Sequence, residues 1–166
     1  MSLILSGAKQ VTIAGTEMAC LEIYQNESYT LPIFFKDANG DPLNCTSPSL
    51  WSLAMSAKWY SCTVTYTSGD LINPGTTDID ITNLTLVPSQ PSVPAGLVAA
   101  FTNASLGQGY IYIPTDISSQ TPETTPTIAA NPTVLVVTTM TITRTDPLSG
   151  LADVSKEPLG LIIRYQ

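Results

Sequence analysis

The chain has 166 residues, six basic and thirteen acidic, for a formal net charge of −7, and only 11% of its residues are charged, against about a quarter in ordinary domains. Threonine (23) and serine (16) fill the gap, and histidine is absent, which excludes every triad, dyad or metal site built on imidazole. Six scattered cations in a net-negative chain do not neutralise a phosphate backbone, so no nucleic-acid partner is expected, and an ordinary hydrophobic share of 43% argues against disorder.

The chain is long enough for one domain with a single core. The opening MSLILSGAKQ has no basic region and a short apolar run, so it does not read as a signal peptide. Residues 1–17 are expected to be an N-terminal arm or a first strand, and 18–166 a β-sandwich domain. No stretch nears the roughly 18 apolar residues of a membrane helix, so no membrane partner is expected. From there the dominant period is two. Strands are expected at Val11–Ala14 and Met18–Tyr24, then at Ser28–Phe35, where Tyr29, Leu31, Ile33 and Phe35 form one row. Asp37-Ala38-Asn39-Gly40-Asp41 carries the Asn-Gly hairpin signal. Trp51, Leu53, Met55, Ala57 and Trp59 make the next row, and the apolar phase then flips to Cys62, Val64 and Tyr66. That flip predicts a bulge near Tyr60 and Ser61, or a crossover between sheets.

Further strands are expected at Ile79–Val87, Leu97–Thr102 and Tyr110–Pro114, with Gly107-Gln108-Gly109 as the hairpin turn between the last two. Ser118–Pro132, rich in Pro and Thr, is a long extended connection, either a solvated surface loop, which is favoured, or a contact arm through Thr121, Pro122, Thr124, Thr125 and Pro126. Val134–Thr145 and Leu159–Tyr165 complete the set. No dozen-residue window gives an amphipathic helix. The fold class is therefore all-β: a two-layer antiparallel sandwich of eight or nine strands.

Candidate chemistry is sparse. Asp37, Asn39 and Asp41 have the alternate-residue oxygen spacing of a calcium loop, but glycine stands fourth and Pro48 twelfth, so a turn with capping carboxylates is favoured over a metal site. Asp78 and Asp80 share a strand face, yet their Gly-Thr-Thr approach reads as an exposed strand entry, not a buried acid–base pair. Cys20, Cys45 and Cys62 are expected to be free thiols, with one bridged pair as the alternative. Four Asn-x-Ser/Thr triplets, at Asn26, Asn44, Asn83 and Asn103, are no more than this Thr-rich composition produces by chance. Tyr110 and Tyr112 share a strand face, either as an aromatic contact strip or divided between core and surface. No catalytic residue and no cofactor is indicated, and the chain does not read as an enzyme.

Four stretches taken together resemble a known domain: LEIYQNESYTLPIFFKDANGDPLNCT (Leu21–Thr46), SLAMSAKWY (Ser52–Tyr60), LVAAFTNASLGQGYIYIP (Leu97–Pro114) and MTITRTDPLSGLADVSKEPLGLIIRYQ (Met140–Gln166). Their order of strands and turns is similar to the immunoglobulin-like β-sandwich of tailed-bacteriophage structural proteins, as at the N-terminus of baseplate upper and tail fibre-attachment proteins. The resemblance spans about residues 18–166 and implies a mechanical role with no catalytic residues to carry over. It further implies other virion proteins as partners, a homo-oligomer with a trimer favoured, and location in the virion after assembly in the host cytoplasm. In baseplate upper proteins a shaft or receptor-binding region follows this domain, whereas this sequence stops at the last strand. That departure weakens a receptor-binding role and favours a stand-alone adaptor or a decorating protein; the leading expectation is a tail, baseplate, neck or fibre-attachment adaptor. A capsid decoration (cement) protein is the alternative, and a carbohydrate- or receptor-binding sandwich using Tyr110 and Tyr112 the third reading.

Overall fold

The computed structural model describes residues 1–5, 7–13, 15–24, 26–68, 77–86, 95–118 and 133–164. Ten strands carry the fold in chain order: β1 (Ser2–Leu5), β2 (Lys9–Ile13), β3 (Thr16–Tyr24), β4 (Tyr29–Lys36), β5 (Leu50–Ser68), β6 (Thr77–Leu86), β7 (Val98–Asn103), β8 (Gln108–Ile113), β9 (Thr133–Thr145) and β10 (Ala152–Arg164). Helix among the described residues is confined to one 3₁₀ turn at Ala104–Leu106 and one α-turn at Thr115–Ser118. The protein is an all-β sandwich of two packed layers. One strand more than the sequence predicts is present, and it is β1.

The smaller layer is a four-stranded antiparallel sheet in the order β1-β4-β8-β7. The larger layer, β10-β3-β2-β6-β5-β9, closes on itself. Its pairs are antiparallel except β3 with β10 and the short β2–β6 pairing, both parallel. These two parallel pairings are what close the sheet, although Leu50–Trp59 of β5 and Ala152–Leu159 of β10 each keep a partner on one side only.

Each layer follows from its alternation. In β4 the residues Leu31, Ile33 and Phe35 are buried while Thr30, Pro32 and Phe34 are exposed. The buried row meets Trp59, Val136, Met140, Ile142 and Leu161 from the larger layer in one core. Each such side chain, fully buried, contributes about 1.5–3 kcal/mol. Phe35 joins the layers through an edge-on contact with Trp51 and a tilted one with Phe101, both with ring centroids 5.6 Å apart.

A second, smaller core lies where the larger sheet curls over itself, built from Val11, Ile13, Cys20, Ile81, Leu135 and Ile162. Consecutive residues therefore serve different cores: Leu161 and Ile163 face the first, Ile162 the second. A strand buried on both faces reads as a continuous apolar run, which is what Leu161-Ile162-Ile163 is.

The same geometry explains the phase flip after Trp59. Trp59 faces the first core, whereas Tyr60 and Cys62 pack against the second. The register irregularity falls between Ser61 and Thr63, and the extra residue is on β6, where Asn83 and Leu84 face the single residue Cys62. Asn83 takes a positive φ of 54°, a left-handed conformation that Asn tolerates and that suits a bulge. Against β9, by contrast, β5 keeps one unbroken register from Leu50 to Cys62.

Both strand prolines sit where their strand has a partner on one side only. Pro32 lies just past the end of β1, whose pairing stops at Ile33, and Pro158 precedes the β3 pairing, which begins at Gly160. A residue without an N–H is tolerated at such places.

Candidate functional site

The surface with the clearest chemical character is the outer face of the four-stranded sheet. Alternation turns Ile4 of β1, Pro32 and Phe34 of β4, Tyr110 and Tyr112 of β8, and Val98 and Ala100 of β7 away from the core. The ladder sets them side by side: Ile4 opposite Phe34, Pro32 opposite Tyr110 and Tyr110 opposite Ala100, then Thr30 opposite Tyr112 and Tyr112 opposite Val98. Ile4, Phe34 and Val98 remain 42%, 36% and 41% exposed, large values for side chains of this kind. Tyr110 and Tyr112 are half-buried.

Charge separates this face from the rest of the molecule. The four strands of the sheet contain no Asp or Glu, and Lys36 is their one charged residue. The six strands of the closed sheet contain Glu17, Glu22, Asp78, Asp80, Asp153 and Glu157 besides their cations. In a chain of net charge −7, this face can meet another protein without desolvating a carboxylate. Depletion of charge at the contact centre, with aromatic enrichment, is also the compositional mark of protein interfaces.

Two loops hold the sheet in place. Gly107, with φ 60°, lets the carbonyl of the β7–β8 connection accept the Phe35 N–H (2.8 Å), and a Cβ there would lie 2.6 Å from the Phe35 carbonyl oxygen. The β7–β8 hairpin predicted around Gly107-Gln108-Gly109 is present. The Asn39-Gly40 turn is also present, but it does not join paired strands. β4 ends in the small sheet and β5 begins in the large one, and the intervening segment is held by Leu43 N–H to Phe35 O (3.0 Å) and Cys45 N–H to Ala104 O (2.8 Å). The predicted hairpin is thus a crossover between layers.

In that turn Asp37 Oδ1 accepts the backbone N–H of Asn39 (2.8 Å) and of Asp41 (3.0 Å). The carboxylate that would head a calcium loop is occupied as a turn cap. Asp78 and Asp80 pair by register with Thr67 and Thr65. Thr121, Pro122, Thr124, Thr125 and Pro126 lie outside the described residues.

The three cysteines are free thiols. Burial pushes each up to about 11, so they are protonated near neutrality and weak nucleophiles. Cys20 borders a small cleft of about 120 Å³ with Lys9, Val11, Glu22 and Ile162. No helix among the described residues is long and apolar enough to cross a membrane.

Sequence reasoning placed Tyr110 and Tyr112 on one face but missed Ile4, Phe34 and Val98, which complete it. The signal was the Phe34-Phe35 pair: in a strand, two adjacent large apolar residues must point to opposite faces. No protein-family model matches the chain, and no curated protein is significantly similar to it.

Proposed function

We propose that this chain is a non-enzymatic structural protein of a tailed-phage virion that docks onto other virion proteins as a tail, baseplate, neck or fibre-attachment adaptor. The observation that supports docking is the acid-free apolar face carrying Ile4, Phe34, Tyr110 and Val98. The virion setting rests on the resemblance of four strand-and-turn stretches to phage structural domains. The protonated thiols and the capped Asp37 carboxylate fit a chain whose work is contact and not turnover.

Quantitative mass spectrometry of purified particles tests this reading. Copies in threes or sixes per particle are expected, and Phe34→Ser with Tyr110→Ser should fold yet fail to incorporate. Hundreds of copies would make the chain a capsid decoration protein, and absence from particles would overturn the proposal. The paired tyrosines also favour a second reading, a glycan-binding face. In that case a glycan array would show binding that Tyr112→Ala abolishes.

A further inference from the structure

We propose that two copies of the chain pair β1 to β1 across a two-fold axis, joining their small sheets into one continuous eight-stranded sheet. This rests on the reading that the small sheet is an assembly surface, and it names the first partner as a second copy. In the closed sheet some stretches are paired on one side only, notably Leu50–Trp59 of β5 and Ala152–Leu159 of β10, the latter guarded by Asp153, Lys156, Glu157 and Pro158. The small sheet ends in β1 and β7. β7 lies against β5, whereas among the described residues no strand pairs with the outer side of β1. Its outward N–H and C=O groups are open to pairing with an added strand. β1 reads Ser-Leu-Ile-Leu and carries no charge, no proline and no bulge, so it lacks the devices by which edge strands resist pairing.

β1, an edge with no charge, proline or bulge, is completed by meeting its own copy. A β1-to-β7 contact would be heterologous and would require the edge that β5 flanks, whereas β1-to-β1 is isologous and complete at two copies. Same-face residues must stand opposite one another. A two-fold axis at Ile4 meets this condition by setting Ile4 against Ile4 on the outer face and Leu3 against Leu5 on the inner. Charge points to the same partner. Copies of net charge −7 repel, and this sheet is where they can approach with no carboxylate facing another. Four residues of strand pairing bury little beside a standard interface of about 1,600 Å². The dimer is therefore a dissociable one, strengthened by salt as the overall repulsion is screened.

Sedimentation velocity of the full chain across a protein and salt series tests this. The expected result is a monomer–dimer equilibrium that tightens with salt. Ile4→Lys should weaken it by about tenfold or more with its thermal midpoint kept, since Ile4 is an exposed position. Leu148→Lys, at an exposed turn of the other layer, should dimerise as the parent does. Should Ile4→Lys misfold, Ile4→Cys decides instead: mild oxidation should give a covalent dimer far faster than for Leu148→Cys. A monomer throughout, a trimer, a dimer that Ile4→Lys leaves intact, or equal cross-linking at both cysteines would each overturn the inference. A monomer nonetheless found in particles would overturn this inference alone. A β1 dimer absent from particles would overturn the proposed function alone.

Discussion

The two layers solve the exposed-edge problem in opposite ways. The six-stranded layer closes through two parallel pairings and keeps its charged residues, among them Lys58, Arg144, Asp153 and Glu157. The four-stranded layer stays open, sheds every acid and presents Ile4, Phe34 and Val98 to solvent. A charged surface and a nearly uncharged apolar one thus share one core. The low charge of the whole chain falls hardest on the small sheet, whose four strands hold one charged residue against eleven in the six strands of the closed sheet.

The largest effect is expected at the seam. Phe35 is fully buried and touches Trp51 and Phe101, so Phe35→Ala should cost about 3–5 kcal/mol. Urea unfolding followed by tryptophan fluorescence and by far-UV circular dichroism should shift together, because both layers share this core. Separate transitions would mean that the layers are independent units and that the contrast is between two domains.

Gly160 probes the second core. It stands opposite Cys20 in the parallel β3–β10 pairing, and a Cβ there would overlap Cys20 Sγ. Gly160→Ala should cost about 1–3 kcal/mol by overpacking. In a Cys20→Ala background most of that cost should vanish, a coupling read from a double-mutant cycle of urea midpoints. Additive costs would show that the glycine serves backbone freedom and not the closure of the sheet.

These positions also show what could be read in advance. The rows at Leu31–Phe35, Trp51–Trp59 and Val136–Ile142 are local period-two patterns with one buried face, and each strand lies where its pattern places it. Closure was not legible, because the β3–β10 and β2–β6 pairings join residues far apart in the chain. Their local trace is the unbroken Leu161-Ile162-Ile163 run, which alternation alone treats as one row with an interruption. β1 was missed for a related reason. Four residues are too few to show a period, and Ser2–Leu5 is a strand because Ile33–Lys36 pairs with it. The apolar outer face was half legible: the tyrosines announced themselves, but their apolar neighbours come from three other strands.

A smaller effect is expected on the charged layer. Arg144 pairs with Asp153 and lies over the Trp51 ring at 5.4 Å, with the carboxylate side chain 72% exposed. Asp153→Asn should therefore cost only about 0.2–1 kcal/mol, less in high salt. Arg144→Met should cost more, by about 0.5–1 kcal/mol, because the cation–π contact goes too. Chemical denaturation in urea at low and high salt separates the two. The comparison sharpens if Phe34→Ser, on the neutral face, shows no salt dependence at all.

The smallest effect concerns the β9–β10 turn, where the closed layer presents Leu148 at its tip. Asp146 accepts hydrogen bonds from the Ser149 hydroxyl (2.6 Å) and the Leu148 N–H (3.0 Å). These bonds hold its carboxyl below the ordinary carboxylate range, the Ser149 hydroxyl contributing most. A depressed folded-state value means that the cap is fully present above the unfolded carboxylate pKa and is lost as pH falls through the folded one. Acidification should accordingly move the Leu148 amide resonance with a midpoint below that of an unstructured aspartate, while the Ile111 and Ile113 amides of the neutral sheet stay fixed. Ser149→Ala should raise that midpoint toward the ordinary value. Asp146 sits at a surface turn and is only half-buried, so global stability should change little: in this layer a carboxylate shapes the surface locally, whereas the strands of the neighbouring sheet exclude carboxylates altogether.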